Sequence, residues 1–390
     1  MAFLNPLSNT FGLDIGDRSF KLVQLKKMRG GPKPYRLIAW NEVAVPEGIL
    51  ERGEIVNVEK AAEYVRKLMA GAKGKLSGKA VVACLPEPRT FIKIIQVDDV
   101  ADVNALKKAV LNDIEQNIPL PKDEIYFDWQ VADEPGAAAE AAAAPAETET
   151  DAPEPPAPAE EKKARRVMIG AAPKVLVDAY VAMLEQAGLA PIALEIEAMS
   201  LTRTLIADDD IDLEPVGILD IGATRSSLAI YDQGVLQMTI SIPVSGNEIT
   251  KAIAAALNLD FEDAELLKIE CGLDAGRCED KMWKILLPLV DDMTDKIHNA
   301  LRFYKIGFPS GKKIEKLHLC GGGAGFRDID NVLSRKLTIK VRRGNALVNL
   351  APKFPAGFPQ EDHLSYATAI GLAMRAVDEG EKRKSSFKIE

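Results

Sequence analysis

Two short phrases with the same order of residue types stand in the two halves of the chain, Asp14-Ile15-Gly16 and Asp220-Ile221-Gly222. Each ends an apolar run typical of a buried strand, and each is followed by a short turn and a second strand. A glycine turn between two strands exposes backbone N–H groups where no Cβ keeps a phosphate away. An aspartate directly before that turn can hold a hydrated divalent cation beside the phosphates. Two such hairpins predict two related half-domains that face each other across one nucleotide.

A glycine-rich segment, 321–325, follows a third strand-like run at 314–320 and precedes a segment of helical character at 327–336. A glycine run between a strand and a helix lets a ligand approach the backbone, and the helix N-terminus favours anionic groups. Asp and Gly are also ordinary turn residues, and a tight strand-to-helix corner needs no ligand. The order of the three elements nevertheless favours a nucleotide site over three unrelated turns.

The composition is that of an ordinary globular protein, with 47% apolar and 27% charged residues in a chain of 390. That length is sufficient for two domains with their own cores. The net charge of −9 is concentrated, because residues 134–161 hold eight acidic and no basic side chains, and the rest carries −1. A nearly neutral body lacks the basic field that nucleic-acid binding uses, so we expect no nucleic-acid partner.

The four cysteines and three histidines are scattered, and their spacing fits neither a zinc site nor a disulfide framework. We therefore expect reduced thiols and a cytoplasmic protein. Residues 1–10 are too short for a signal peptide, and no apolar run approaches the ~20 residues needed to cross a bilayer. Any membrane association is expected to come through a protein partner. The cysteines are Cys84, Cys271, Cys278 and Cys320.

Apolar periodicity predicts an α/β chain whose second half repeats the plan of the first. The predicted units are a first lobe core at 1–86, an inserted subdomain at 87–190, a second lobe core at 191–246 and 313–360, a helical subdomain at 247–312, a C-terminal helix at 361–379 on the first lobe, and a disordered tail at 380–390. The further predicted strands are 20–25, 35–45, 79–85, 90–96, 125–131, 167–171, 227–231 and 336–341. The predicted helices are 59–70, 103–116, 174–187, 247–257, 261–270, 280–305 and 361–378.

Three local features qualify this plan. Residues 134–162 are built from Ala, Pro and Glu without large apolar side chains, which predicts a disordered loop that serves as a linker or, less favoured, as a docking segment. Pro288 is expected either to kink the helix at 280–305 or to mark its true first turn. Gly371 is expected to permit close helix packing.

The order hairpin, hairpin, glycine-rich corner is the pattern of the actin-like ATPase fold, and within that fold the chain resembles the PilM family of type IV pilus assembly proteins. The most specific segment is DIEQNIPLPKDEIYFDWQV at 113–131. The other similar segments are 12–25, 45–57, 185–205 and 295–305. The resemblance implies a duplicated ribonuclease H-like fold, with two lobes around a nucleotide cleft and a small inserted α/β subdomain.

The resemblance further implies ATP with Mg²⁺ in that cleft, the cation being held through water by Asp14 and Asp220. The implied phosphate-binding residues are Asp14, Gly16, Asp17, Arg18, Ser19 and Lys21 in the first half and Asp220, Gly222, Ala223 and Thr224 in the second. The implied adenosine-binding residues are Gly246, Glu265, Lys268, Gly321, Gly322, Gly323 and Ala324. The side chains that line the partner groove are not implied.

Alternatives stay open at several of these positions. Lys21 fits a solvated strand residue as well as a phosphate ligand, and Glu265 with Lys268 fits a surface ion pair of little energetic weight. Asp17-Arg18 stands where the family pattern has small hydroxyl residues. A carboxylate at position 17 repels phosphate unless it faces a cation or points away.

The function implied by the resemblance is an ATP-binding scaffold of the pilus or a related secretion platform, with nucleotide-dependent lobe closure. Its implied partner is the N-terminal cytoplasmic tail of the membrane protein PilN, held between the first lobe and 87–190 by β-augmentation or apolar pockets. Other platform proteins and self-association are further implied contacts, at the inner membrane. Turnover is expected to be weak at most. The alternatives are an actin-like kinase or ATPase and an FtsA-like filament protein, although 380–390 has little apolar area for membrane binding.

Overall fold

The computed structural model describes residues 9–28, 33–98, 107–112, 114, 118, 120–132, 164–206, 214–274, 276–308 and 311–386. The acidic segment predicted as a loop at 134–162 lies outside the described residues. Of the helix predicted at 103–116, residues 107–112 are helical and most of the others lie outside the described part of the chain.

The described chain alternates strands and helices throughout. The strands are β1 (Phe11–Ile15), β2 (Ser19–Lys27), β3 (Tyr35–Ala44), β4 (Leu50–Glu51), β5 (Glu54–Ile55), β6 (Lys73–Gly74), β7 (Ala80–Leu85), β8 (Phe91–Asp98), β9 (Ile125–Ala132), β10 (Ala164–Pro173), β11 (Ala190–Ile196), β12 (Val216–Ile221), β13 (Ser226–Asp232), β14 (Val235–Ile242), β15 (Lys316–Cys320) and β16 (Lys340–Arg343). The helices are α1 (Val58–Ala70), α2 (Lys174–Gln186), α3 (Glu197–Leu205), α4 (Gly246–Leu257), α5 (Phe261–Cys271), α6 (Lys281–Gly307), α7 (Ile329–Leu337) and α8 (Ala367–Ser386).

Two sheets share one topology. The first has the order β11-β7-β1-β2-β3-β6, and the second has the order β14-β13-β12-β15-β16. In each sheet a central strand pairs antiparallel with the strand that follows it and parallel with a later strand, as β1 does with β2 and β7, and β12 with β13 and β15. The second half therefore repeats the first, and the two glycine turns lie at equivalent strand ends.

The two lobes share part of their apolar core. One buried cluster combines side chains of β2 and β3, of the second sheet, and of α3 and α8. Gly371 of α8 makes this packing possible, because a Cβ at that position would lie 2.0 Å from the carbonyl oxygen of Ser200 in α3. The expectation that Gly371 permits close helix packing is confirmed.

A separate three-stranded sheet is inserted between β7 and β11, in the order β8-β10-β9. Its own apolar cluster lies between the sheet and the helical residues 107–112 and 114, and includes Val110, Ile114 and Val167. Among the described strands of this sheet β9 stands at an edge, so one of its sides has no described strand paired with it.

Several boundaries differ from expectation. Helix α6 runs through Pro288, so the alternative that this proline marks its first turn is wrong. The last strand of the second sheet is Lys340–Arg343, because residues as far as Leu337 remain helical in α7. The C-terminal helix continues to Ser386, so the tail predicted as disordered is helical over 380–386. None of the described helices is long and apolar enough to span a membrane.

The expectation of four reduced cysteines is wrong for one pair, since Cys271 and Cys278 form a disulfide. The reason is local. Helix α5 ends at Cys271, and the φ of 61° at the following Gly272 turns the chain; the two cysteine Cα atoms lie 5.9 Å apart, a separation suited to a disulfide. Cys84 and Cys320 are free and buried.

Candidate functional site

A cleft of about 290 Å³ lies between the two glycine hairpins. All ten residues predicted to contact phosphate line it: Asp14, Gly16, Asp17, Arg18, Ser19, Lys21, Asp220, Gly222, Ala223 and Thr224. Gly321 and Gly322 of the glycine-rich corner line it as well. The structure therefore brings the three sequence motifs together at one place.

The two turns are closed by the same backbone hydrogen bond. The N–H of Gly16 donates to the Ser19 carbonyl at 3.1 Å, and the N–H of Gly222 donates to the Arg225 carbonyl at 2.9 Å. Within the described residues, no acceptor takes the N–H groups at positions 17, 18, 223 and 224. These amides are available to the oxygens of an anion, which is the chemistry expected of a phosphate turn.

The glycine-rich corner is pressed against the second hairpin. Gly321 has a φ of 76°, and a Cβ there would lie 2.2 Å from Oδ1 of Asp220, so only glycine fits. Gly322 has open space around its Cα. Ala324 does not line the cleft, because its side chain is fully buried in the core of the second lobe. Gly323 also lies outside the cleft lining, against Ile221.

The other predicted adenosine residues form one cluster behind the second turn. The Gly246 N–H donates to the Gly222 carbonyl at 3.0 Å. Lys268 Nζ donates to the Gly246 carbonyl at 3.3 Å, to the Thr250 hydroxyl at 3.0 Å and to Glu265 at 2.6 Å. The Lys268 side chain is 13% exposed and that of Glu265 is 36% exposed, so the pair is tied into the fold on its lysine side.

Buried carboxylates dominate the electrostatics of the cleft. Burial raises the pKa of Asp14, and burial together with the nearby Asp14 raises the pKa of Asp220 to about 6. A buried thiol contacts each of them, with Cys84 Sγ 3.5 Å from Asp14 and Cys320 Sγ 3.8 Å from Asp220. Carboxylates destabilised by burial and by one another gain from a nearby cation, which fits a site for a metal–nucleotide complex.

Direct metal coordination by protein groups is not indicated, since the described residues hold no group of three or more His, Cys, Asp or Glu side chains that could bind a metal ion. Two opposed carboxylates instead fit a hydrated Mg²⁺ that takes its remaining ligands from phosphate oxygens and water. Asp14 and Asp220 are the residues that would hold it in this way.

Lys21 lies inside the cleft. Its side chain is 12% exposed, and Nζ donates to the Ser19 hydroxyl at 2.7 Å and lies 3.2 Å from Glu42. The alternative that Lys21 is a solvated strand residue is therefore wrong. Its ammonium group is placed beside the first phosphate turn.

The Asp17 side chain does not face the space open to phosphate. Its Oδ1 accepts a hydrogen bond from the Gly53 N–H at 2.8 Å, and its Oδ2 accepts one from the Thr224 hydroxyl and lies 3.4 Å from Arg225. A carboxylate at position 17 is therefore compatible with bound phosphate, because it points away from the phosphate space and faces the cation Arg225.

Sequence reasoning missed four charged residues of the cleft lining, Glu42, Glu197, Arg225 and Asp362. Arg225 follows Thr224 directly, so its place in the second turn was open to inference. Glu197 begins α3 and carries no motif; only the fold brings it within 3.6 Å of Arg225. Burial raises the pKa of Glu197 to about 8, against the opposing effect of Arg225.

We expect Glu197→Gln to flatten the pH dependence of stability. The pKa of Glu197 is above its ordinary value of 4.5, so the folded protein holds a proton that the unfolded chain has lost, and stability falls as pH rises toward 8. Arg225 favours the charged form of Glu197, whereas Asp14, Asp220 and Glu87 oppose it.

Denaturant unfolding at pH 6 and pH 9 measures this effect. Between pH 6 and pH 9 the free energy of unfolding of wild type should fall by roughly 2–3 kcal/mol more than that of Glu197→Gln. The exposed Glu124→Gln is the matched control and should behave as wild type. Parallel curves for wild type and Glu197→Gln would contradict the buried, protonated carboxyl.

A second concavity, of about 440 Å³, lies between the inserted sheet and the first lobe. Its inserted-sheet wall includes Tyr126 to Gln130 of the edge strand β9, and its other wall includes Met199 and Arg203 of α3 and Arg375 of α8. We call it the groove. Glu195 at its charged end accepts two hydrogen bonds from Arg203, at 2.7 and 3.0 Å, and lies 3.1 Å from Arg375.

Comparison with known proteins agrees with this architecture. A solved PilM–PilN type IV pilus biogenesis complex superposes with a TM-score of 0.74 at 24% identity, covering 95% of this chain and 98% of that chain. MreB5 of Spiroplasma citri, solved with AMPPNP bound, gives a TM-score of 0.51 at 13% identity, covering 97% of this chain and 98% of that chain. These likenesses confirm the predicted actin-like ATPase fold.

Sequence comparison points the same way. The cell division protein FtsA of Neisseria meningitidis serogroup B is 27% identical over 209 residues, which are 48% of this chain and 49% of that protein. The chain spans about half the length of the curated relatives it matches. The family model for the type IV pilus assembly protein PilM matches residues 12–146 and 155–377, nearly the whole chain. The chain belongs to the type IV pilus assembly protein PilM family.

Proposed function

We propose that this protein is an ATP-binding scaffold of a type IV pilus or related secretion platform, which binds the cytoplasmic N-terminal tail of a PilN-like membrane protein. The observation that supports nucleotide binding is the pair of equivalent turns at one cleft, whose N–H groups at positions 17, 18, 223 and 224 have no acceptor among the described residues. Mg²⁺ would be held through water by Asp14 and Asp220 and would neutralise phosphate charge. The protein would then sit at the inner membrane through its partner.

The groove is the site at which we propose that the partner peptide binds. A peptide laid along β9 would gain main-chain hydrogen bonds from the open edge of the inserted sheet. Tyr126, 47% exposed, offers an aromatic contact beside that edge, and Met199 offers an apolar floor opposite. An edge strand next to an apolar concavity is the arrangement that binds an extended peptide, with side-chain pockets setting specificity.

The nucleotide would act by closing the lobes. Its phosphates would contact the first turn on one lobe and the second turn on the other, contacts that exist together only when the cleft is closed. A ligand that binds one conformation better shifts the population toward it, and the effect on a second ligand is reciprocal. ATP–Mg²⁺ is therefore expected to change the affinity for the peptide, and the peptide to change the affinity for ATP–Mg²⁺ by the same factor.

Calorimetry with a synthetic peptide of the PilN N-terminal tail tests this function, in the presence and absence of a non-hydrolysable ATP analogue with Mg²⁺. We expect peptide affinity to differ at least fivefold between the two conditions. We also expect Tyr126→Ala to weaken peptide binding about tenfold, by removing an aromatic contact at the open edge.

Val175→Ala is the matched control, because this α2 side chain is 84% exposed and does not line the groove. It should bind the peptide as wild type does. Equal peptide affinities with and without the analogue would count against coupling, and equal affinities for wild type and Tyr126→Ala would count against this groove as the peptide site.

A further inference from the structure

Asp17 joins the two lobes directly across the cleft. It is 6% exposed and belongs to the first hairpin, where the Gly53 N–H of the β4–β5 turn donates to its Oδ1 at 2.8 Å. Its other oxygen accepts from the Thr224 hydroxyl and lies 3.4 Å from Arg225, both in the second hairpin. One carboxylate therefore binds groups of both phosphate turns.

Arg225 extends this contact on the second-lobe side. Its side chain is 17% exposed, and one guanidinium nitrogen lies 3.4 Å from Asp17 and another 3.6 Å from Glu197. The Asp17 and Arg225 charges are costly to separate, because each would be left buried without its partner. The second turn is thus held in position by the first lobe.

Gly53 extends the contact in the other direction, toward the groove. Its carbonyl accepts a hydrogen bond from the hydroxyl of Tyr180 at 2.8 Å, and Tyr180 is completely buried on α2. The same helix reaches the groove at two points. Val177 lines the groove, and Asp178 accepts a hydrogen bond at 3.2 Å from the hydroxyl of Tyr126 on β9.

We propose that Asp17 is an inter-lobe latch, and that the series Tyr180–Gly53–Asp17–Thr224 couples the position of α2 beside the groove to the second phosphate turn. The consequence for regulation rests on the proposed function. A peptide that fixes α2 favours the latched, closed cleft and thereby raises nucleotide affinity, and the nucleotide raises peptide affinity by the same factor.

Hydrogen–deuterium exchange on the ligand-free protein tests the latch, read at three amides bonded in or onto the second turn. These are the N–H groups of Gly222, Gly246 and Asn247, which donate to Arg225, Gly222 and Ala223. We expect Asp17→Asn, which keeps the side-chain shape, to raise their exchange rates at least tenfold through local opening. Tyr180→Phe, which removes only the remote hydroxyl, should raise them at least threefold.

Two matched controls separate this effect from general loosening. Asp295→Asn changes an exposed aspartate on α6, and Tyr64→Phe removes a tyrosine hydroxyl on α1 outside the series. In both variants the three amides should exchange at the wild-type rates. The double variant of Asp17 and Tyr180 should exchange no faster than Asp17→Asn alone, because both changes break the same series. Unchanged rates in Asp17→Asn, or effects that multiply in the double variant, would overturn the proposal.

The outcome is independent of the proposed function. If exchange responds as expected while calorimetry detects neither nucleotide nor peptide, the latch stands and the proposed function fails. If both ligands bind and influence each other while exchange in the latch variants equals wild type, the scaffold function stands and the latch is wrong.

Discussion

Replacing Gly371 by alanine should lower the free energy of unfolding by about 2–3 kcal/mol. The added Cβ would lie 2.0 Å from the Ser200 carbonyl oxygen and 2.5 Å from the Thr204 hydroxyl oxygen, so α8 must move away from α3. The higher helix propensity of alanine offsets only about 1 kcal/mol of that cost. Urea unfolding followed by circular dichroism measures the difference.

Gly307→Ala provides the comparison, since this glycine also lies in a helix but has nothing within 4 Å of an added Cβ. It should leave stability unchanged or raise it by up to about 1 kcal/mol. If both variants unfold at the same urea concentration as wild type, the close contact between α3 and α8 is not a packing constraint.

The contact matters because α3 and α8 carry parts of both sites. Arg203 of α3 donates a hydrogen bond to the Gly371 carbonyl at 3.0 Å and also binds Glu195 at the charged end of the groove. Glu197 at the start of α3 faces the nucleotide cleft. Separating the two helices is therefore expected to disturb groove and cleft together, beyond the loss of stability.

The phosphate turns could be predicted because their chemistry is local. A strand, an aspartate and a glycine turn are visible within seven residues, and their duplication near position 220 sets them apart from ordinary turns. The returning strands at 20–25 and 227–231 were predicted for the same reason, and β2 and β13 contain them. Periodicity over short distances is the information that a single sequence carries best.

Contacts between distant segments could not be predicted in this way. Asp17, Gly53 and Tyr180 are far apart in sequence, and nothing near any of them indicates that they share hydrogen bonds. The disulfide between Cys271 and Cys278 depends on a turn at Gly272 whose conformation the cysteine spacing does not specify. The sequence predicts that Ala324 belongs to a glycine run that faces the ligand. In the structure its methyl group lies in the core, because the short 3₁₀ turn directs it inward.

Replacing Asp220 by asparagine is expected to weaken ATP–Mg²⁺ binding about 10- to 100-fold while it stabilises the protein without ligand. The pKa of Asp220 is raised to about 6 by burial and by Asp14, so at pH 7.5 its charged form lowers the stability of the folded protein when no cation is bound. Asparagine has the same shape and relieves that cost. A hydrated Mg²⁺ beside the phosphates loses one of its two carboxylate partners, a charge-assisted contact of about 1.5–3 kcal/mol.

Calorimetry with ATP–Mg²⁺ at pH 7.5 measures the affinity, and thermal unfolding without ligand measures the stability. The isosteric change preserves the close approach of Gly321 to Oδ1 of residue 220, so misfolding is not expected. Asp295→Asn, on the exposed face of α6, is the charge-matched control and should leave both quantities unchanged.

The opposite signs make the experiment decisive. A variant that simply damages the fold loses both stability and affinity for ATP–Mg²⁺. Removal of a carboxylate that binds a cation instead raises the stability without ligand and lowers the affinity. Asp14→Asn should show the same pattern, because Asp14 occupies the equivalent place on the other hairpin and burial also raises its pKa. If both variants bind ATP–Mg²⁺ as tightly as wild type, the paired hairpins form an actin-like cleft that does not hold a metal-bound triphosphate.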